Sequence, residues 1–96
     1  MDKKLYNEIG EWSKEVFPKA DSINHLEKLK HEAQEAIEEP KDVYEYADCY
    51  IALTGAAYKA GIDFTEMIKA LKKKLEIIKV REWELLPDGT YQHIKK

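Results

Sequence analysis

The chain lacks most of what small protein sites are commonly built from. Its single cysteine, Cys49, excludes an internal disulfide and a cysteine-based zinc cluster. Its four glycines form no glycine-rich run, which excludes a P-loop. No serine–histidine or cysteine–histidine nucleophile is apparent, and His25, His31 and His93 are scattered and read as ordinary surface. No histidine follows a glutamate at Glu-x-x-His spacing, the pattern a carboxylate-bundle iron or manganese site wants on facing helices. No apolar run approaches a membrane span or a signal-peptide core, so a cytoplasmic protein without a membrane partner is expected. The net charge of −3 lacks the basic excess that marks nucleic-acid binding, and no nucleic-acid partner is expected.

What is present is acid in a pattern. Glu32-Ala-Gln-Glu35 and Glu45-Tyr-Ala-Asp48 are separated by nine residues. A spacing of three puts both acids of each pair on one helix face. Pro40 lies between them, so the two helices can fold back and bring the acidic faces together. Converging carboxylates repel one another, and desolvation adds to the cost. Such a cluster implies a cation, and all-oxygen ligands suit a hard ion such as magnesium, which takes up substrate phosphates. Acidic pairs are also common on plain solvated faces. Here the second pair runs directly into an apolar stretch, Ala47 to Ala57, so its face is not wholly surface.

Helical periodicity covers most of the 96 residues, and one all-α domain over 1–96 is expected. A first helix over 3–17 carries Leu5, Ile9, Trp12 and Val16 and stops at Phe17-Pro18. Asp21 or Ser22 caps a second helix with Leu26, Leu29, Ala33, Ala36 and Ile37 as its core stripe. Pro40 is expected at the first position of a third helix that runs to Ala60, with Gly61 just past its end. That helix is apolar nearly all round, which predicts burial in the domain or against a second copy. Cys49 reads as a small buried core thiol. Ala52 and Gly55, below Glu45 and Asp48, either leave room beside the acids or allow close helix packing. Asp63-Phe-Thr-Glu66 starts a fourth helix with Met67, Ile68, Leu71, Leu75 and Ile78 inward and lysines elsewhere, ending near Trp83. Pro87-Asp-Gly89 makes a turn, residues 90–94 pair briefly as a strand or lie along the body, and this short irregular tail completes a small four-helix bundle.

Taken in order, Trp12, Phe17-Pro18, the two acidic pairs, Lys74 leading to Arg81-x-Trp83, and Pro87-Asp-Gly89 with His93-Ile94 form a recognisable set. The chain resembles the MazG-like all-α nucleoside triphosphate pyrophosphohydrolases, and most nearly the short, often phage-borne dATP/dGTP diphosphohydrolase-like domain. The resemblance covers nearly the whole chain. It implies a homodimer or homotetramer that uses magnesium, or manganese, to cut a nucleoside triphosphate into a monophosphate and pyrophosphate. It implies Glu32, Glu35, Glu45 and Asp48 as metal ligands, with Glu35, or else Glu32, also orienting the attacking water. Lys74 and Arg81 would neutralise phosphate charge, and Trp12 would stack on a base or serve the core. The chain departs from the pattern at Ile78, where the family carries an asparagine.

Two functional readings follow. One is a magnesium-dependent pyrophosphohydrolase acting in nucleotide-pool control. The other is a non-catalytic helical oligomerisation or partner-binding module that kept the scaffold. Metal-dependent release of pyrophosphate separates them.

Overall fold

Short polar side chains start each helix of the chain. In the computed structural model, which describes residues 1–95, the order is α1 (Lys3–Val16), α2 (Ser22–Glu38), α3 (Val43–Lys59), α4 (Phe64–Lys79), β1 (Trp83–Leu85) and β2 (Tyr91–His93). The Asp2 carboxylate accepts from the Leu5 N–H at 2.8 Å and opens α1. Asp21 and Asn24 exchange reciprocal bonds of 2.8 and 3.0 Å at the start of α2. α3 starts later than the proline predicts. Asp42 is its N-cap, accepting from the Tyr44 N–H at 2.9 Å. The Asp42 N–H donates to the Glu39 carbonyl at 3.1 Å, which puts Pro40 second in a turn before the helix, the place its fixed φ suits. This tight turn makes α2 and α3 a helical hairpin.

The end of α3 follows the expectation. Gly61 has φ +84°, its N–H donates to the Tyr58 carbonyl, and the Ile62 N–H donates to that of Ala57. These two bonds form the Schellman pair that an αL glycine permits. The Tyr6 hydroxyl then donates to the Ile62 carbonyl at 2.7 Å and ties α1 to this corner.

The chain divides into two compact units, Met1–Glu66 and Met67–Lys96. In the first, α3 packs against both α2 and α1. Its inward residues are small: Ala52, Thr54, Gly55, Ala56 and Ala57 are buried. α1 meets them with Tyr6, Gly10 and Ser13 rather than with its larger apolar residues. A Cβ on Gly10 would run into the Tyr58 ring, and one on Gly55 would come within 2.9 Å of Ser13 Oγ and 3.5 Å of His25 Nδ1. Gly55 therefore serves close helix packing. The Tyr6 ring packs against Phe64 at 5.6 Å and Tyr58 at 6.3 Å.

Backbones that approach on small residues leave the large ones outside. Of the expected α2 core stripe, Leu29, Ala33 and Ala36 are half-buried, whereas Leu26 and Ile37 are exposed. Val43, Tyr44 and Tyr50 of α3 are 70%, 76% and 61% exposed. Cys49 is half-buried rather than a core thiol.

In the second unit no residue of α4 is buried, so the expected inward stripe is corrected: Leu71 and Leu75 are exposed and Met67, Ile68 and Ile78 half-buried. The helix ends at Lys79, short of Trp83. In the short tail, the strand alternative is the one realised. β1 and β2 pair antiparallel with Trp83 opposite His93 and Leu85 opposite Tyr91. Gly89 turns the chain at φ +88°, and Asp88 accepts from the Thr90 N–H and hydroxyl at 3.0 and 2.7 Å. Those two bonds hold the Asp88 carboxyl below the ordinary aspartate range.

Candidate metal centre and adjoining cavity

The α2–α3 hairpin brings all four acids of the two pairs together. Glu32, Glu35, Glu45 and Asp48 each offer a carboxylate oxygen, and these oxygens all lie within 4.8 Å of one another. Glu32 is buried, at 7% exposure, Glu45 half-buried, and Glu35 and Asp48 are exposed. The electrostatic cost is visible. The Glu32 carboxylate, as hydrogen-bond partner and then as like charge, pushes the Glu35 carboxyl above the ordinary range. Burial, followed by the charges of Glu35, Asp42, Asp48 and Glu32, pushes Glu45 the same way. The Cys49 thiol is raised by burial and by the same carboxylates.

The donor set fits a hard divalent cation. It is all oxygen, and Glu32 Oε2 and Glu45 Oε2 are shielded from solvent with no hydrogen-bond partner. A buried carboxylate oxygen without a partner is costly, and coordination is one arrangement that removes the cost. The Lys28 ammonium lies 3.0 Å from Glu32 Oε1, four residues up the same helix.

Beside the cluster lies a cavity of about 310 Å³, within the lower range for small-molecule pockets. Its apolar wall includes Trp12, Phe17, Ala20, Ile51 and Ala52, and Ser13, Asn24, His25 and Lys28 supply polar groups. Glu32 and Asp48 belong to both the lining and the acid cluster. Trp12 meets Phe17 edge-on at 5.5 Å, and Phe17 meets His25 at 6.2 Å. Trp12 is half exposed, so it lines the cavity instead of filling the core.

The spacing of the two pairs brought the four acids together and the family resemblance added Trp12, while Ser13, Asn24, His25 and Lys28 were missed. His25 is not surface: it is 8% exposed and sits one turn before Leu29 on the buried stripe. Its spacing from Leu29, Ala33 and Ala36 carried that signal. Lys28 is set four residues before Glu32, the spacing of an ion pair on one face. Lys74 and Arg81 lie in the second unit. Arg81 follows the end of α4, its N–H bonded to the Ile78 carbonyl at 3.2 Å, so the two cations do not share one helix, as a helix running to near Trp83 would have had them do. Ile78 also receives the Trp83 indole N–H on its carbonyl, at 3.3 Å.

The mostly helical fold that carries this carboxylate hairpin is MazG-like. A cyanophage S-2L MazG-like pyrophosphohydrolase, solved with dGDP and three catalytic Mn2+ ions per active site, superposes with a TM-score of 0.78 at 29% identity, over 96% of this chain and 95% of that one. Within this class, the chain belongs to the dATP/dGTP pyrophosphohydrolase family, whose model matches residues 5–96. It is 36% identical to a dATP/dGTP diphosphohydrolase of Salmonella phage PMBT28 over 87 residues, 90% of this chain. It is 35% identical to the Eaa protein of Salmonella phage P22 over 95 residues. The chain spans about three-tenths of the length of these curated relatives, 29% and 30%.

Proposed function

We propose that the chain is a divalent-metal-dependent nucleoside triphosphate pyrophosphohydrolase that converts a (deoxy)nucleoside triphosphate to its monophosphate and pyrophosphate. The observation that carries this reading is the four-carboxylate cluster with two orphaned buried oxygens, two of whose acids also line the cavity. The family membership, and the dGDP and Mn2+ of the cyanophage relative, supply the substrate class and the metal class. Magnesium is proposed as the working ion, with manganese accepted.

Glu32, Glu35, Glu45 and Asp48 hold the metal. A divalent ion held by these four residues would supply charge neutralisation for phosphate oxygens and activation of the attacking water. Glu35, the exposed glutamate of the α2 pair, is proposed to orient the attacking water and accept its proton. Glu32, mostly buried, fixes the ligand geometry. The cavity takes the nucleoside: Trp12, edge-on to Phe17, offers a face to the base, and Asn24 and His25 offer hydrogen bonds. Lys74 and Arg81 are proposed to neutralise further phosphate charge.

The two units of 1–96 are proposed to work as one functional domain in a homodimer or homotetramer, supported by the exposed apolar side chains of α3. A large exposed apolar surface normally marks an interface. A cytoplasmic setting without nucleic-acid or membrane partners completes the reading. The weak net negative charge, −3, supports the part of it that concerns nucleic acid; among the described residues no helix is long and apolar enough to cross a membrane.

The test is pyrophosphate release from a panel of nucleoside and deoxynucleoside triphosphates with Mg2+ or Mn2+. Release that requires metal and is abolished by Glu35→Gln supports the enzyme. A well-folded oligomer with no release under any condition replaces it with the non-catalytic module.

A further inference from the structure

Four residues of α2 line the cavity in sequence order: Asn24, His25, Lys28 and Glu32. They progress along the helix from the aromatic wall toward the carboxylates, with Lys28 about 6 Å of helix rise before Glu32. A nucleotide has the same order: base, sugar, α-phosphate, and then the phosphates that share metal. Laid along α2 with its base by His25 and Phe17, it brings its first phosphate to Lys28.

Lys28 is also tied to the cluster. Its ammonium is 3.0 Å from Glu32 Oε1, and the two side chains are 62% and 10% exposed. The lysine is therefore free to turn on a flexible stem, whereas the carboxylate is held. Glu32 Oε2 stays without a partner despite this pair, so Lys28 leaves the carboxylate only partly satisfied. A divalent ion among the same carboxylates is a stronger counter-charge and repels a neighbouring ammonium. An ammonium released there meets the cavity, where an anionic phosphate is the complementary group.

We propose that Lys28 is the exchangeable cation of this site: it holds Glu32 in the metal-free protein and turns to a nucleotide phosphate when a divalent ion takes the carboxylates. The inference rests on the pyrophosphohydrolase reading for its phosphate ligand. The metal half of the exchange stands without it.

The test uses Lys28→Met, Lys28→Arg and a matched control, Lys30→Met. Lys30 pairs with Glu27 on the same helix at 3.2 Å and does not line the cavity. Calorimetry with Mn2+ alone reads the first half. Lys28→Met should bind Mn2+ about threefold more tightly, because a competing exposed ion pair is gone. Calorimetry of dAMP, which carries the first phosphate alone, with the Mn2+-loaded protein reads the second half, and Lys28→Met should bind it about tenfold more weakly, as for a lost charge-assisted bond. With dATP the loss should appear in KM more than in kcat, and Lys28→Arg should recover most of it. Lys30→Met should match the parent throughout.

Unchanged affinities for both probes in Lys28→Met overturn the exchange. So does a parallel loss of both, which marks a merely structural ion pair, and so does an equal effect in Lys30→Met. A parent that hydrolyses no triphosphate, while both probes respond to Lys28 as stated, overturns the functional reading and supports the exchange.

Discussion

Glu32 meets opposing demands in one side chain. It is buried, it is charged, and it faces three other acids with one flexible lysine as counter-charge. Glu35 and Glu45 respond by holding protons above the ordinary carboxylate range. The metal-free folded chain therefore binds more protons than the unfolded chain in that window, and stability falls as pH rises through it. A divalent ion opposes this trend. Thermal melts should show a Mn2+-induced rise in Tm that is large at about pH 7 and small at about pH 5, because protons compete for the same oxygens. Glu35→Gln should flatten the difference. Calorimetry should also find metal affinity weakened at least about tenfold, or 1.4 kcal/mol, in Glu35→Gln and in Asp48→Asn. Parent-like affinity in both would remove these carboxylates from the site.

At the scale of elements, the site depends on how closely three helices approach. α1 and α3 meet where Gly10 lies under the Tyr58 ring, which Glu11 holds by accepting its hydroxyl. Gly10→Ala gains about 0.5–1 kcal/mol of helix propensity and loses about 1–3 kcal/mol to overpacking. The clash wins, and Tm should fall by several degrees in a calorimetric scan. Gly55→Ala meets only the movable end of Ser13 within 3.4 Å, so its effect should be the smaller of the two. Asp42 starts α3 and thereby sets where Glu45 and Asp48 point. Asp42→Ala should cost about 1 kcal/mol, seen as a drop in Tm of about 4–8 °C for a chain of this size. An unchanged Tm in both Gly10→Ala and Asp42→Ala would contradict this account of the hairpin's packing.

For the whole molecule, the contrast is between a core of alanines and a surface rich in large apolar groups. The buried hydrophobic residues are Tyr6, Ala52, Ala56 and Ala57, while Ile37, Val43, Tyr44 and Tyr50 are each more than 60% exposed. Burying an isoleucine or valine is worth about 1.5–3 kcal/mol, so covering several at once favours association strongly. Sedimentation at micromolar concentration should give a multiple of 11.2 kDa. Replacing Val43 and Tyr44 together by serine should shift the distribution toward monomer if this face is the contact. A clean monomer in the parent would place those side chains in water and remove the oligomer.

Features that depend on neighbours along the chain were legible in the residues alone. Spacing by three paired the acids on their helix faces, and a proline turn between the pairs allowed the four carboxylates to meet. The Phe17-Pro18 stop, the Asp21 cap and the Gly61 stop are local conformational preferences and were readable for that reason. What depends on contact between distant segments emerged with the folded packing. The start of α3 moved to Asp42 because a capping carboxylate and a turn, rather than Pro40, satisfied the free N–H groups. The inward face of α1 became Tyr6, Gly10 and Ser13 because α3 offers small residues and close approach excludes bulk. The same packing turned Trp12 outward, buried His25, and opened the cavity that joins Lys28 to the acids. Hydrophobic periodicity identifies an apolar side chain but not whether another element lies opposite it, and so Ile37 and Leu71 read as core and are exposed.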